Sequence, residues 1–384
     1  MRNDDKRDSR TVADKRWGMS LGMALLLCGC TAAPLRESAS APAHYRVVGY
    51  DVVKEGVDHP DADKIDTLIF AFARVEHDRV VLDPAAASRL ARLTALKSTH
   101  PQLTVVISVG GWAAGGFSEA ASTPASRRLF TQSAVKLLVD NRTDGLDLDW
   151  EYPGHSESGI TSSPQDRANL TLLLKGLRAA LDTAGRAGGH HYTLSMAVAD
   201  GPFVSGIDIA AIAPSLDWFN LMTYDFVNSM TPTTGHHTGL HASSLTPADA
   251  RTTDRAVNQF LAAGVAAQKL LIGAGFYGRE FDAVTAQHNG LYQSYGHYGT
   301  EHPWTQLQAD YINKNGFVRE WDAQAQAPYL WNATTRTFIS YDDPQSLAAK
   351  AAYVKANHLG GIMYWEQSED PQNVLVSAIW RGLQ

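Results

Sequence analysis

The sequence is poor in cysteine: its 384 residues include only Cys28 and Cys30. Beyond residue 30 the chain therefore has no disulfide framework, no cysteine-based zinc site and no thiol nucleophile. The fourteen histidines show no spacing typical of metal ligands, and the two adjacent pairs would point apart in extended structure. We therefore expect no metal site.

Charge is also scarce, at 19 % of residues with a formal net charge of −7, and no basic patch stands out. Nucleic acid is therefore excluded as an expected partner. Long hydrophobic runs are missing as well. The apolar run 19–27 follows Lys15 and Arg16 and is too short to span a bilayer. This layout is typical of a secretory signal.

The end of that run, Leu27 to Cys30, resembles a bacterial lipobox, in which the last cysteine carries lipid. The resemblance implies a lipoprotein-type signal over 1–30 with Cys30 lipidated, followed by a flexible tether over 31–43. The protein is then expected at the outer membrane or cell surface, with membrane contact only through its lipid. An ordinary cleaved signal with incidental cysteines is the alternative, and it would give an extracellular protein.

The rest of the chain, 44–384, predicts one large catalytic domain, since 44 % of all residues are hydrophobic. Short apolar segments alternate with amphipathic ones, which is typical of an α/β fold, a parallel (β/α)8 TIM barrel. The eight candidate strands are 45–50, 67–73, 104–111, 145–150, 192–199, 217–224, 269–277 and 360–366. The residues beyond a minimal barrel fall after the seventh strand and predict a small α+β insertion over 280–340, before helix seven.

The segment DGLDLDWEYPG, from Asp144 to Gly154, is the most informative. In a strand, Asp147, Asp149 and Glu151 share one face, with two leucines and a tryptophan on the other. Three adjacent carboxylates repel one another, so at least one should be protonated near neutral pH, as a proton donor for glycosidic cleavage must be. A solvated acidic face and a site for Mg²⁺ or Ca²⁺ are the alternatives.

This segment resembles the DxxDxDxE signature of glycoside hydrolase family 18, the family of many chitinases. Asp144, Asp147, Asp149 and Glu151 fill every required position. The resemblance implies that Glu151 is the acid and base, and that Asp149 orients the substrate's acetamide and stabilises an oxazolinium intermediate. Asp147 would share a proton with Asp149. Asp144 would hold the strand end through backbone hydrogen bonds.

The strand geometry bears on the nucleophile. A retaining glycosidase usually has a second carboxylate ~5–5.5 Å from the acid, acting across the sugar. Asp149 is two positions from Glu151 on one strand and so approaches the sugar from the same side. The substrate's own 2-acetamido oxygen can act instead, and this family is a recognised substrate-assisted case. No cofactor is implied.

Other segments resemble further motifs of the family and imply substrate contacts. Met222 would line the pocket for the acetyl methyl group, Tyr224 would donate to the acetamide oxygen, and Asp225 would bind the sugar. A core tyrosine is the alternative for Tyr224. Tyr277 and Arg279, in FYGR, match a motif whose arginine contacts sugar.

Two tryptophans are expected to stack on sugars. Trp365 would be the floor for the distorted ring, with pure packing as the alternative, and Trp112 would stack on the leaving-group side. Tyr50 and Ser108 would hydrogen-bond the buried Asp147. The family often has a tryptophan six residues after the sixth-strand tyrosine. This chain has Met230 there, so a stacking platform is not expected at that position.

These residues predict a monomeric chitinase that hydrolyses β-1,4-N-acetylglucosamine linkages in chitin or chito-oligosaccharides with retention. An endo-β-N-acetylglucosaminidase acting on N-glycan or peptidoglycan is one alternative. The many aromatic residues of the insertion favour linear chitin chains, unless the insertion is only a packing subdomain. A non-catalytic chitin-binding lectin is the other alternative, and the presence of Glu151 argues against it.

Overall fold

The computed structural model describes residues 44–54 and 60–384. The predicted signal, the tether and the lipidation site Cys30 lie outside the described residues. Among the described residues, no helix has both the length and the apolar character needed to cross a membrane.

The described residues form strands and helices in alternation along most of the chain. The strands are β1 Arg46–Asp51, β2 Thr67–Glu76, β3 Arg79–Val81, β4 Thr104–Gly110, β5 Gly145–Asp149, β6 Thr193–Val198, β7 Trp218–Leu221, β8 Leu270–Gly275, β9 Tyr277–Asp282, β10 His297–Pro303, β11 Val318–Asp322, β12 Ala327–Asn332, β13 Thr337–Ser340 and β14 Gly361–Trp365. The helices are α1 Pro84–Leu96, α2 Phe117–Ser122, α3 Pro124–Asp140, α4 Asp166–Gly188, α5 Ile209–Ile212, α6 Thr253–Ala262, α7 Trp304–Gln306, α8 Pro344–Ala356 and α9 Val374–Leu383.

Eight parallel strands close into a barrel. They follow the order β1-β14-β8-β7-β6-β5-β4-β2, and β1 also pairs with β2, which completes the ring. Helices follow most of the strands and cover the outside. The predicted (β/α)8 barrel is therefore confirmed, and its strands lie within about two residues of the expected bounds except at two strand ends, where β2 is longer and β7 shorter than expected.

Local sequence signals start several of the helices. Asp83 accepts a hydrogen bond from the backbone N–H of Ala86 at the start of α1, and Thr123 and Ser126 form a capping box at the start of α3. Asp343 and Ser346 form a second capping box at the start of α8. In all three helices a proline stands at the first position, where a missing backbone N–H costs nothing.

The apolar and acidic faces of β5 separate as predicted. Leu146, Leu148 and Trp150 are buried in the core between the strands and the outer helices. The indole of Trp150 stacks on the ring of Phe117 in α2, with centroids 5.3 Å apart. This packing fixes the register of β5, and the register directs its acidic side chains into the barrel.

The insertion forms a second, antiparallel sheet in the order β10-β9-β13-β12-β11. It begins at Tyr277, three residues before the expected start, because β9 follows β8 after a single residue. Its own core contains Phe281, Tyr329, Trp331 and Phe338. Part of the predicted aromatic content therefore stabilises the insertion itself, while β9 and β10 supply residues to the barrel opening described below.

Candidate active site

A cavity of about 530 Å³ lies at the carboxyl ends of the barrel strands, with β9 and β10 forming part of its wall. The side chains of nine of the twelve predicted site residues line it: Trp112, Asp149, Glu151, Met222, Tyr224, Asp225, Tyr277, Arg279 and Trp365. The remaining three, Tyr50, Ser108 and Asp147, are fully buried inside the barrel.

Asp147 is a fully buried carboxyl surrounded by donors. Its Oδ2 accepts hydrogen bonds from the Tyr50 and Ser108 hydroxyls at 2.8 and 2.7 Å. Its Oδ1 accepts from the Ser195 hydroxyl at 2.6 Å and the Asn220 amide at 3.2 Å. Burial raises the pKa of Asp147, but these four bonds occupy the acceptor positions of a carboxylate and favour its ionised form.

Asp149 is in the opposite situation, because its buried Oδ1 has no hydrogen-bond partner among the described residues. Burial raises the pKa of Asp149 well above its usual value, and the charges of Glu151 and Asp147 raise it further. A carboxyl that is buried without donors and close to two other acids is most stable when protonated. The proton of the Asp147–Asp149 pair is therefore favoured on Asp149.

Glu151 stands just past the end of β5 and reaches the cavity, although it is only 8 % exposed. Burial raises the pKa of Glu151 to about 7, the charge of Asp225 contributes to the rise, and a hydrogen bond from Tyr152 opposes it. Glu151 thus carries a proton through the mildly acidic range and can release it near neutrality, as a general acid must.

Asp144, the first residue of the signature, lies at the other end of β5. Its carboxylate accepts from the backbone N–H of Val105 at 2.8 Å and pairs with the ammonium of Lys97 at 2.6 Å. It does not line the cavity. The expected structural role, holding the start of the strand, agrees with these contacts.

Tyr224 and Met222 follow β7 and face the cavity. Among residues 44–54 and 60–384, the hydrogen-bond partner of the Tyr224 hydroxyl is the sulfur of Met363, at 3.8 Å, so the hydroxyl keeps its capacity to donate to a stronger acceptor. A core tyrosine with a satisfied hydroxyl, the alternative considered for this residue, would have an oxygen or nitrogen partner instead.

Asp225 belongs to a charged cluster on the wall formed by the insertion. Its Oδ1 accepts from the Tyr277 hydroxyl at 2.6 Å and from Arg279 Nε at 2.5 Å, and the buried His237 places Nδ1 3.7 Å away. Burial alone would raise the pKa of Asp225, but His237 and Arg279 outweigh it and hold the pKa below its usual range. Arg279 also pairs with Glu301 of β10, at 2.7 Å.

The two predicted stacking tryptophans differ in their surroundings. Trp365 ends β14 and packs against Phe72, with centroids 5.7 Å apart, and against Tyr50. Trp112 is 54 % exposed and meets only the edge of Tyr152 among ring contacts of the described residues. Trp112 therefore presents a large free surface to solvent, whereas Trp365 is held in a fixed orientation.

Several residues of the site were missed by the sequence reasoning. Ser195 and Asn220 point into the barrel, and their alternation with inward-facing neighbours on β6 and β7 could have revealed them. Tyr152 and Arg251 line the cavity from loops, and Phe203 from a short 3-10 helix over Gly201–Gly206, where no periodicity exists to identify them. Within 44–54 and 60–384 no group of three histidine, cysteine or acidic side chains is arranged to hold a metal ion.

In sequence, this chain is similar to known glycosyl hydrolases. The sequence profile of the glycosyl hydrolases family 18 matches residues 46–370. Chitinase A1 of Niallia circulans is 40 % identical over 309 residues, which cover 76 % of this chain and 44 % of that protein. Chitinase B of Serratia marcescens is 30 % identical over 358 residues, 77 % of this chain and 70 % of that protein. This chain thus spans less than half the length of chitinase A1.

Among solved structures, a glycoside hydrolase family 18 N-acetylglucosaminidase from Paenibacillus barengoltzii is 42 % identical, with a TM-score of 0.83. The match covers 88 % of this chain and 100 % of that one. The catalytic signature, the barrel and both comparisons agree, and this chain belongs to the glycosyl hydrolases of family 18.

Proposed function

We propose that this protein is a chitinase that hydrolyses β-1,4 linkages between N-acetylglucosamine units by substrate-assisted catalysis with retention. One observation carries the proposal: Glu151, whose burial raises its pKa to about 7, reaches the cavity beside Asp149, and the buried Asp147 next to them accepts four hydrogen bonds. The names of the relatives support the bond type, since chitinases and an N-acetylglucosaminidase both act on N-acetylglucosamine linkages.

Glu151 begins the reaction by protonating the glycosidic oxygen. The other acids of the cavity wall are poorly placed to attack, because Asp225 is engaged by Tyr277 and Arg279, and Glu301 by the same arginine. The acetamide oxygen of the substrate closes on the anomeric carbon instead, as is recognised for this family. Glu151, now ionised, then activates the water that opens the oxazolinium ring.

The Asp147–Asp149 pair stabilises the positive charge that develops. Asp149 faces the acetamide N–H, and its proton moves toward Asp147 as the oxazolinium forms, leaving negative charge beside the cation. Once Asp147 carries the proton, a hydroxyl of Tyr50, Ser108 or Ser195 can rotate to accept a hydrogen bond from it, because a hydroxyl both donates and accepts. Tyr224 donates to the acetamide oxygen and holds it near the anomeric carbon.

The same proposal includes secretion of the enzyme and a lipid anchor on Cys30. The order of residues 15–30 supports it: two basic residues, then an apolar run, then the cysteines. Wild-type protein should fractionate with membranes, because the several acyl chains of a lipoprotein anchor stably. Cys30→Ala should appear in the soluble fraction. Wild-type protein found wholly in the soluble fraction would contradict the anchor.

Glu151→Gln tests the assignment of the acid. The substitution keeps the shape of the side chain but removes the proton, so turnover of a soluble chitin oligomer should fall by at least ~10²–10⁴-fold. Binding of the same oligomer, measured by calorimetry, should persist. Glu157→Gln is the matched control, because Glu157 lies in the following loop with its side chain 50 % exposed, and its turnover should equal wild type. Near-native turnover by Glu151→Gln would overturn the assignment.

The pH dependence tests the environment of Glu151. Its acid form is the active one, so kcat/KM should decline above a pH of about 7, roughly tenfold per pH unit. The charge of Asp225 raises the pKa of Glu151, so Asp225→Asn should move this alkaline limb to lower pH, whatever it does to the rate itself. An unmoved limb in that variant would show that the charge of Asp225 does not act on Glu151, and a wild-type limb near pH 4.5 would show that burial does not raise the pKa of Glu151.

A further inference from the structure

Arg251 is a cavity residue to which the steps above give no role. It lies in the wall with its side chain 21 % exposed. Its guanidinium lies over two aromatic rings, within the distance of about 6 Å that is usual for such contacts. The centroid of Phe226 is 5.0 Å away and that of Phe203 is 6.0 Å away. The two rings help to hold the planar group in place, and its N–H groups point outward along its edges.

Those edges are partly occupied. Nε and Nη2 both donate to Asp200, whose side chain is only 6 % exposed, and Nη1 lies 3.5 Å from the backbone carbonyl of Asp225. The carboxylate is thus on the buried side of the pair. A substrate in the cavity meets a fixed N–H donor, held in place before binding, rather than a mobile surface arginine.

The aromatic contacts indicate which end of the cavity Arg251 serves. Phe203 stacks on Tyr152, with centroids 4.2 Å apart, and Tyr152 follows Glu151 and contacts Trp112. A separate group, Phe72 and Tyr50, surrounds Trp365. The inference rests on the proposed function, in which Trp365 is the floor for the sugar before the cut bond. The group beside Arg251 then faces the leaving sugar.

We propose that Arg251 determines specificity by selecting an N-acetylated unit in the first leaving-group position. A guanidinium only donates hydrogen bonds, so the acetamide carbonyl of N-acetylglucosamine is a suitable partner. The ammonium of a glucosamine unit also only donates and carries the same charge. It would offer no acceptor to the N–H that faces the cavity, and its charge would repel the guanidinium.

The side chain at the exposed rim of the cavity makes the choice of leaving sugar depend more on the hydrogen bond from Arg251. Met230 is 62 % exposed at the edge of the same cavity, where a flat indole would otherwise be able to hold any sugar by stacking. A flexible methionine distinguishes poorly between acetylated and deacetylated units. Selection at this end therefore falls to the fixed donor.

A digest of half-deacetylated chitin at pH 5.5, where the free amines are protonated, tests the inference. The unit in the first leaving-group position becomes the new non-reducing end of each product. Early wild-type products should show N-acetylglucosamine there about tenfold more often than glucosamine, the preference that one hydrogen bond to a charged group supplies. The new reducing ends of the same products report separately on the acetamide mechanism.

The variant Arg251→Met combined with Asp200→Asn removes the donor without leaving a buried carboxylate unpaired. Its non-reducing ends should approach the composition of the substrate. Arg178→Met is the matched control: this arginine is also ion-paired, with Asp182 and Asp217, and its side chain is 16 % exposed, but it does not line the cavity. The control should keep the wild-type preference.

Two results would overturn the inference: wild-type non-reducing ends that match the substrate's composition, or a double variant that keeps the tenfold preference. The wild-type digest alone decides the first, even if the double variant does not fold. Abundant glucosamine at the new reducing ends would instead contradict the proposed acetamide mechanism, so the two failures are distinguishable.

Discussion

The buried carboxylate of Asp147 is the constraint on which the catalytic centre depends. Its four donors come from four different strands: Tyr50 from β1, Ser108 from β4, Ser195 from β6 and Asn220 from β7. One side chain of β5 is therefore tied to strands around the ring. The same bonds that hold these strand ends also retain a negative charge in a place that water does not reach.

That charge adds to the effect of burial on the neighbouring Asp149. Asp149 lies two residues along the strand without a donor of its own, and its pKa rises well above the usual value. Glu151, two residues further, is raised to about 7 chiefly by burial. Three carboxyls of one strand thus have three environments: one charged, one protonated and one ready to exchange its proton near neutral pH. Of the three, Asp149 and Glu151 reach the cavity, and both approach the sugar from one side, which is why the nucleophile is assigned to the substrate.

Much of this arrangement follows from sequence periodicity. The alternation in DGLDLDWE places Asp147, Asp149 and Glu151 on the inner face of β5, and the leucines and tryptophan pack outward as that pattern predicts. The same two-residue rule applies to Ser195 and Asn220, but it identifies them only once β6 and β7 are known to point at Asp147. Short polar side chains inside strands carry no signal of their own.

The loop residues were beyond prediction for a different reason. Phe203, Arg251 and His237 come together only through the fold of long connections, and their separations in sequence indicate nothing about contact. In the sequence His237 stands out only as one of an adjacent histidine pair without metal-ligand spacing, yet it lies against Asp225. The insertion was found from its length and aromatic content. The sequence did not reveal the residue at which the insertion starts, because the barrel strand β8 and the insertion strand β9 are separated by a single residue.

The central claim is that the substrate's acetamide oxygen is the nucleophile. The most direct measurement compares kcat/KM for nitrophenyl chito-oligosaccharides whose reacting unit carries an acetyl, monofluoroacetyl or trifluoroacetyl group. Fluorine withdraws electrons from the carbonyl and weakens it as a nucleophile without removing it. The account predicts a steep fall in kcat/KM with each added fluorine. Rates that stay level across the series would contradict it, because a carboxylate nucleophile of the protein would not depend on the carbonyl.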